Sequence, residues 1–326
     1  MLPPDEIRKF IESHKRFIIL GHREPDGDCV ASQLACGALL KALGREASLH
    51  SVGPFDRPEI EQFADAFSAT IPEETLRAAG TAVVIVDCST PDRTGALGAC
   101  VDGLPCLVID HHSSGELFGS LRCVDPAAAS TTMLVFSLFE SLGVRPSPEQ
   151  ARLLLFGLCT DTGFFRHLGA HGADTFRSVA GLVEGGTSTA EVYMMVYGKR
   201  ALSARKLLAE MLARAETYCN DRLILTWQTM ADRDTLCAFQ RGEDELYRLL
   251  QTVKDTMIVA LIKEEGPGIF SVGLRSTPEI DVGAVAGSFG GGGHKQASGF
   301  DIRGSLESIK ASLVRTLLPL VGGSCL

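Results

Sequence analysis

The sequence contains ten cysteines but no C-x-x-C pair, and it has no apolar run long enough to span a bilayer. The missing cysteine pairs argue against a thiolate zinc site or a disulfide framework, so we expect reduced and mostly buried thiols. The N-terminus is charged and amphipathic, whereas a signal peptide is basic and then apolar. These absences predict a cytoplasmic globular protein that has no membrane partner.

Positive charge is also scarce, because 31 Lys and Arg residues stand against 40 Asp and Glu residues and the formal net charge is -9. Proteins that follow long nucleic acids contact the phosphates through clustered Lys and Arg side chains, and no such basic stripe is visible. A long duplex is therefore a poor candidate ligand. A short phosphorylated substrate is acceptable if bound metal ions supply the positive charge.

The first half of the chain alternates short, β-branched apolar runs with amphipathic segments of helical length. Strands are predicted at 16–21, 82–87 and 105–110, and helices at 29–43, 131–142 and 149–159. Strands that alternate with helices indicate an α/β fold with a doubly wound parallel sheet.

The character of the chain changes near residues 185–215, where a glycine-rich turn precedes a segment typical of one long exposed helix. Further strands are predicted at 222–228, 257–264 and 269–276. We therefore predict an N-terminal domain at 1–190, a helical linker at 191–215 and a smaller C-terminal α+β domain at 216–326. The active-site cleft is expected between the two domains.

Acidic and histidine side chains follow the predicted strands of the first half and one of its helices. They are His22, Asp26 and Asp28, then Asp87, then Asp110, His111 and His112, and finally Asp161. Because the carboxyl ends of strands in an open α/β sheet face the ligand crevice, we expect these side chains to converge. Each residue alone has an ordinary explanation as a helix cap or a turn residue, but their coincidence favours a shared site.

Convergence of Asp26, Asp28, Asp87 and Asp161 brings four negative charges into one cleft. Unpaired carboxylates repel one another and take up protons, whereas two divalent cations neutralise them. Oxygen and imidazole ligands suit Mn²⁺, Mg²⁺ or Zn²⁺. The sequence therefore predicts a two-metal site that activates water for attack on phosphorus.

A second candidate functional motif, SFGGGGHKQASG at 288–299, lies near the C-terminus. Consecutive glycines let backbone N–H groups approach an anion closely, although the missing G-K-[ST] excludes a P-loop. Four glycines alone could equally be a flexible linker. The following His294 and the helix-like segment before the glycines favour a functional loop.

The order HREPDGD, VDCSTPDRTG, DHH and GLCTDTG resembles the four N-terminal motifs of the DHH phosphoesterase superfamily. GLRS at 273–276 and GGGGHKQASGF at 290–300 resemble its DHH-associated C-terminal domain. The resemblance covers nearly the whole chain, and the two-domain build is similar to the bacterial nanoRNases, many of which also dephosphorylate 3′-phosphoadenosine 5′-phosphate (pAp). Two positions depart from the family: CVAS lacks a common Gly before its Ser, and Gly273 stands where Ser is usual.

The resemblance implies a di-manganese centre, with Mg²⁺ as an alternative. One ion would be held by His22, Asp26 and Asp87, and the other by Asp28, Asp87, His111 and Asp161, so that Asp87 bridges. His112 would face the scissile phosphate as a donor or acid, and Asp110 would orient a ligand histidine. Substrate-binding residues are implied at Arg275, Ser276, Gly291, Gly292, Gly293 and His294.

We expect hydrolysis of very short RNA to 5′-mononucleotides, with Arg275 and His294 measuring the end of the substrate. The nearest alternatives keep the chemistry and change the substrate to pAp or to a linear or cyclic dinucleotide. A nucleotide-binding regulator without catalysis is disfavoured because every ligand position holds a competent residue. A long-strand exonuclease is disfavoured by the acidity of the chain, and a homodimer is left open.

Overall fold

The computed structural model describes residues 4–168, 172–198, 200–236 and 243–322. The chain divides into two compact units, Met1–Lys199 and Arg200–Leu326. Within the described ranges, no helix combines the length and the apolar character that a membrane crossing requires.

The first unit alternates helices and strands for most of its length. Its elements are α1 (Pro4–Ser13), β1 (Arg16–Leu20), α2 (Gly27–Ala42), β2 (Glu46–His50), α3 (Glu73–Arg77), β3 (Thr81–Val86), α4 (Ala96–Cys100), β4 (Cys106–Asp110), β5 (Leu121–Val124), α5 (Thr131–Ser141), α6 (Pro148–Asp161), α7 (Gly172–Glu184) and α8 (Thr189–Tyr197). The predicted strands and helices of this half are confirmed to within a few residues. Strands β2 and β5 escaped prediction because they are short and partly exposed.

The strands of the first unit form one parallel sheet in the order β2-β1-β3-β4-β5. Phe17 and Ile19 of β1 pack into one buried cluster, and Ile18 and Leu20 pack into another on the opposite face. Alternate residues of a strand point to opposite faces, so both faces of the sheet are covered. The predicted doubly wound sheet is confirmed, and its order reverses between β1 and β3, where ligands bind in folds of this class.

The second unit is built on a mixed sheet. Its elements are α9 (Leu202–Ala213), β6 (Glu216–Tyr218), β7 (Leu223–Gln228), α10 (Met230–Leu236), α11 (Glu243–Gln251), β8 (Ile258–Gly266), β9 (Ile269–Ser276), α12 (Val282–Ser288), β10 (Gly292–His294), β11 (Ala297–Arg303) and α13 (Leu306–Leu317). The strand order is β10-β11-β9-β8-β7-β6, and the pairs are antiparallel except for β7 with β8. The predicted α+β character of the C-terminal half is confirmed.

The segment predicted as one helical linker consists of two helices with different packing partners. Helix α8 buries Val192 and Val196 in the core of the first unit. Helix α9 buries Leu207 and Met211, one turn apart, against Ile224 and its neighbours in the second unit. The apolar face of α9 therefore belongs to a core, whereas the sequence suggested an exposed connector.

Candidate metal centre

The turn after β1 and the start of α2 place the first three predicted ligands. His22 follows β1, and its Nδ1 lies 2.8 Å from the carbonyl oxygen of Arg23, so Nδ1–H donates there and Nε2 is the ring nitrogen that remains for a metal ion. Asp26 caps α2 by accepting from the backbone N–H of Cys29 at 3.0 Å. Asp28 lies in the first turn of α2 and is buried.

Asp87, directly after β3, faces two histidines from different strands. Its Oδ2 lies 3.5 Å from Nε2 of His22, and its Oδ1 lies 3.7 Å from Nε2 of His111. Asp87 is buried and has a positive φ of 55°, a region that Asp tolerates better than most residues. One carboxylate thus presents an oxygen to each of two ligand groups.

The remaining predicted ligands complete those two groups. Nε2 of His111 lies 3.5 Å from Oδ2 of Asp161, the last residue of α6, and ligand atoms of Asp28, His111 and Asp161 all lie within 4.8 Å of one another. Oδ1 of Asp26 lies 3.8 Å from Nε2 of His22. These separations are longer than a hydrogen bond. They approach the roughly 3–3.6 Å that separates two ligand atoms when each lies about 2.1 Å from a shared cation.

The electrostatics of the cluster favour divalent cations. Burial raises the pKa of Asp28 well above its ordinary value, and the charges of Asp87, Asp161 and Asp26 raise it further. Burial also raises the pKa of Asp161 to about 6. Carboxylates that hinder one another's ionisation are stabilised when cations occupy the space between them. The carboxylate and imidazole donors of this cluster fit Mn²⁺ or Mg²⁺.

The N-terminus of α5 holds two of the carboxylates in place, a role that sequence reasoning missed. The backbone N–H of Thr131 donates to Oδ2 of Asp28 at 2.7 Å. Thr132 donates to Oδ1 of Asp28 from its N–H at 3.0 Å and from its hydroxyl at 2.8 Å. The Thr131 hydroxyl donates to Oδ1 of Asp87 at 3.0 Å. The S-T-T run marks a helix start, with Ser130 as the cap, but its distant partners could not be deduced from it.

Asp110 and His112 form a hydrogen-bonded pair beside the ligand groups. Nδ1 of His112 lies 2.7 Å from Oδ1 of Asp110, and this hydrogen bond raises the pKa of His112. The same nitrogen is 3.8 Å from Oδ1 of Asp87. The structure corrects the prediction that Asp110 orients a ligand histidine, because its partner is His112 rather than His22 or His111. Asp110 is the last residue of β4, and His112 lies two positions later.

A thiol also lies against the first ligand group. Sγ of Cys29, a ring nitrogen of His22 and a carboxylate oxygen of Asp87 are ligand atoms within 4.8 Å of one another. Burial raises the pKa of Cys29 to about 11 and that of Cys88 to about 12, so both thiols stay protonated near neutral pH. The described cysteines are free, as predicted.

Two predicted substrate-binding residues of the second unit lie in one row across its sheet. Ala297 of β11 pairs with Arg275 of β9 on one side and with His294 of β10 on the other. Residues directly opposite each other in neighbouring strands project to the same face. Arg275 and His294 therefore flank Ala297 on one face, and His294 is exposed.

The other residues predicted to bind substrate in this unit have structural roles or open surroundings. The Ser276 hydroxyl donates to the carbonyl oxygen of Ile280 at 2.8 Å. A Cβ at Gly291 would lie 2.3 Å from a backbone oxygen of β11, and Gly293 has a φ of 137°. Gly292 is exposed, with nothing within 4 Å of a Cβ built there. Close strand approach thus explains Gly291 and Gly293 without a ligand.

Comparison with known proteins finds a matching domain family in each of the two units. A model of the DHH family N-terminal domain matches residues 16–158, and a model of the DHHA1 domain matches residues 244–317. The chain is 29% identical over 95% of its length, and 93% of the relative's, to a Thermus thermophilus protein named bifunctional oligoribonuclease and PAP phosphatase NrnA. It is 25% identical, over 88% of its own length and 45% of the relative's, to the cyclic-di-AMP phosphodiesterase GdpP of Geobacillus thermodenitrificans.

A solved structure shares the whole fold. The exopolyphosphatase-related protein of Bacteroides fragilis superposes with a TM-score of 0.82 at 21% identity, over 98% of this chain and 97% of that one. The order of the matched domains along the chain is the order of the two units described above. The chain therefore carries a DHH family N-terminal domain followed by a DHHA1 domain.

Proposed function

We propose that the protein is a two-metal phosphoesterase that hydrolyses very short RNA to 5′-mononucleotides. The observation that carries this proposal is the position of Asp87, whose two oxygens face His22 and His111 in separate ligand groups. A shared carboxylate is the arrangement that holds two divalent ions close together. The name of the Thermus thermophilus relative supports the choice of short RNA as substrate.

The proposed first ion, Mn²⁺, would be held by His22, Asp26 and Asp87. The second would be held by Asp28, Asp87, His111 and Asp161. When bound, the ions supply an activated water and neutralise charge on the phosphoryl oxygens. The chain itself fixes the orientation of the ligands, because helix α5 holds Asp28 and Asp87 through backbone and hydroxyl hydrogen bonds.

His112 is proposed as the acid that protonates the leaving oxygen. The hydrogen bond from its Nδ1 to Asp110 raises its pKa, which increases the protonated fraction near neutral pH. The opposite ring nitrogen, Nε2, can then donate a proton. Asp110 would act by orienting this ring.

Substrate length is proposed to depend on the face that carries Arg275 and His294, which would bind the terminal phosphate or nucleotide. Arg275 and His294 can donate hydrogen bonds to one phosphate. Because the chain has a net charge of -9, it offers little electrostatic attraction to a long polyanion. We also propose pAp as a second substrate of the same metal centre, since the Thermus thermophilus relative is named as a PAP phosphatase.

The test is a substrate panel with Mn²⁺-loaded and EDTA-treated protein. It contains 5′-labelled di- to hexanucleotides, an RNA of about twenty nucleotides, pAp, and linear and cyclic dinucleotides. We expect Mn²⁺-dependent release of mononucleotides, with the dinucleotide cleaved about 100-fold faster than the long RNA. Equal rates on both lengths would refute the length preference.

The same panel separates the enzyme from the remaining alternatives. Turnover of a cyclic dinucleotide above that of every short RNA would reassign the substrate to the class cleaved by the cyclic-di-AMP relative. A protein that binds Mn²⁺ and nucleotides but leaves the whole panel intact would be a nucleotide-binding regulator.

A further inference from the structure

Tyr247 of α11 is a buried side chain that touches β9 at two positions, Gly273 and Arg275. The guanidinium carbon of Arg275 lies 4.4 Å from the centroid of the Tyr247 ring. A cation at this distance over an aromatic face is attracted by the ring quadrupole. The ring therefore restricts the positions that the Arg275 guanidinium can adopt.

Gly273 provides the space that the Tyr247 hydroxyl occupies. A Cβ added at residue 273 would lie 2.2 Å from the hydroxyl oxygen of Tyr247 and 3.4 Å from the ring carbon that bears it. The first distance forbids any side chain at residue 273 while the hydroxyl is there. The second is ordinary van der Waals contact, so the hydroxyl oxygen alone causes the conflict.

These contacts lie on the face that carries the proposed phosphate-binding groups. Residues 273 and 275 point to the same face because side chains alternate along a strand. Arg275 and His294 share this face through their common partner Ala297. Arg275 is further anchored by donation from Nη1 to the carbonyl oxygen of Leu274 at 3.0 Å. Burial raises the pKa of Tyr247, so the phenol is neutral near neutral pH.

We propose that Tyr247 is a positioning residue that fixes the Arg275 guanidinium for phosphate binding, and that Gly273 is required because it admits the Tyr247 hydroxyl. This inference rests on the function proposed above for Arg275. Tyr247 acts through Arg275 and has no separate contact with the substrate. Loss of the ring should therefore weaken substrate binding and leave the chemical step at the metal centre unchanged.

The first test compares Tyr247→Leu with Tyr247→Phe and Arg275→Ala, using the 5′-phosphorylated dinucleotide pApA and Mn²⁺. Tyr247→Leu should raise KM about tenfold while kcat stays within about threefold, because the cation–π contact is lost. Tyr247→Phe keeps the ring and should stay within about twofold of the wild type. In the Tyr247→Leu/Arg275→Ala double variant, KM should equal that of Arg275→Ala alone, since coupled residues are not additive.

The second test exploits the conflict at residue 273. Gly273→Ala should raise KM because its methyl group displaces the Tyr247 hydroxyl. The double variant Gly273→Ala/Tyr247→Phe should recover most of the wild-type KM, since the methyl then meets a ring carbon at contact distance. A general loss of stability would not be rescued by removing one oxygen atom. Failure of the rescue would overturn the proposed role of Gly273.

A matched control is Tyr218→Leu, which removes a partly buried tyrosine from β6, at the opposite edge of the same sheet from β10. It should leave KM unchanged. If Arg275→Ala leaves KM unchanged, the proposed phosphate-binding role of Arg275 fails. If Arg275→Ala raises KM while Tyr247→Leu and Gly273→Ala do not, the role of Tyr247 alone is overturned.

Discussion

At the scale of single residues, Asp87 is the position on which the two ligand groups depend. Replacement by Asn preserves its size and tolerates the positive φ of 55°, so the backbone should hold. Asp87→Asn removes one negative charge and replaces one of the two oxygens that face the ligand groups with an amide nitrogen. We expect kcat on a dinucleotide to fall at least about 1000-fold, measured at saturating Mn²⁺.

The matched control for this change is Asp92→Asn, because Asp92 is exposed and follows the same strand a few residues later. It should retain wild-type turnover. The unfolding temperature of metal-free Asp87→Asn should not decrease, since a carboxylate has been removed from a repulsive cluster. Near-normal turnover in Asp87→Asn would contradict the assignment of Asp87 as a bridging ligand.

His112 and Asp110 give a prediction about pH. The hydrogen bond to Asp110 raises the pKa of His112, so Asp110→Asn should lower it. If protonated His112 is the acid, activity declines as pH rises through its pKa, and this decline should move to lower pH in Asp110→Asn. We expect kcat near neutral pH to fall about 10- to 100-fold, as read from pH profiles of kcat at saturating Mn²⁺.

Asp125→Asn is the control for the pH experiment, because Asp125 directly follows the neighbouring strand β5 and its side chain accepts from the backbone N–H of Ala127. Its pH profile should match that of the wild type. An unshifted pH profile in Asp110→Asn would show that deprotonation of His112 does not cause the loss of activity at high pH.

At the scale of secondary-structure elements, the N-terminus of helix α5 donates hydrogen bonds to the carboxylates of the candidate metal centre. Thr132→Val keeps the shape of the side chain and removes the hydroxyl that donates to Asp28 at 2.8 Å. We expect Mn²⁺ affinity to fall roughly tenfold, because groups that orient metal ligands commonly contribute this much. Isothermal titration of the metal-free protein with Mn²⁺ would measure the change.

Ser137→Ala tests whether the effect is specific to the start of α5. The Ser137 hydroxyl donates to the carbonyl oxygen of Leu134 within the same helix and does not reach the ligands. Its Mn²⁺ affinity should be unchanged. Equal affinities in Thr132→Val and the wild type would mean that the two backbone donors to Asp28 suffice.

Elements differed in how far their roles could be predicted. The apolar runs of β1, β3 and β4 are rich in β-branched residues, so these strands and the polar residues at their ends could be predicted. The edge strands β2 and β5 have mixed and partly exposed sequences, so periodicity gave no signal. Helix α9 has an apolar stripe whose partner lies elsewhere in the chain, and its burial could not be foreseen.

At the scale of the whole molecule, the acidic cluster links metal binding to stability. Asp28 and Asp161 have pKa values raised above those of an unfolded chain, with a value of about 6 for Asp161. Protonation of these carboxyl groups therefore stabilises the fold. The contribution is complete below about pH 4, the pKa of a carboxyl group in the unfolded chain, and it is lost as the pH rises through the pKa of the folded state. The raised pKa of His112 acts in the same direction.

The metal-free protein should accordingly become more stable when pH falls from about 7.5 to about 5.5, by roughly 3 °C in Tm. Burial opposes the ionisation of Asp26, but its attraction to His22, the backbone N–H of Cys29 and the charge of Arg57 together lower its pKa, and this opposing effect on stability acts at lower pH. The Mn²⁺-loaded protein should lack this gain, because the cations already offset the repulsion. Scanning calorimetry with EDTA or with Mn²⁺ would measure both Tm values. A Tm of the metal-free protein that decreases as the pH is lowered would contradict the prediction.

Residue types and their places after apolar runs were enough to predict the parallel sheet, the convergence of the six candidate ligands and the phosphoester chemistry, because strand ends in such a sheet meet at one edge. The partners of buried polar groups were settled by folding in three dimensions. Thr131 and Thr132 bond to a residue about a hundred positions away, Asp110 bonds to His112, and Gly273 makes room for Tyr247. Periodicity describes which way a side chain points relative to its own element, whereas such contacts depend on how distant elements pack.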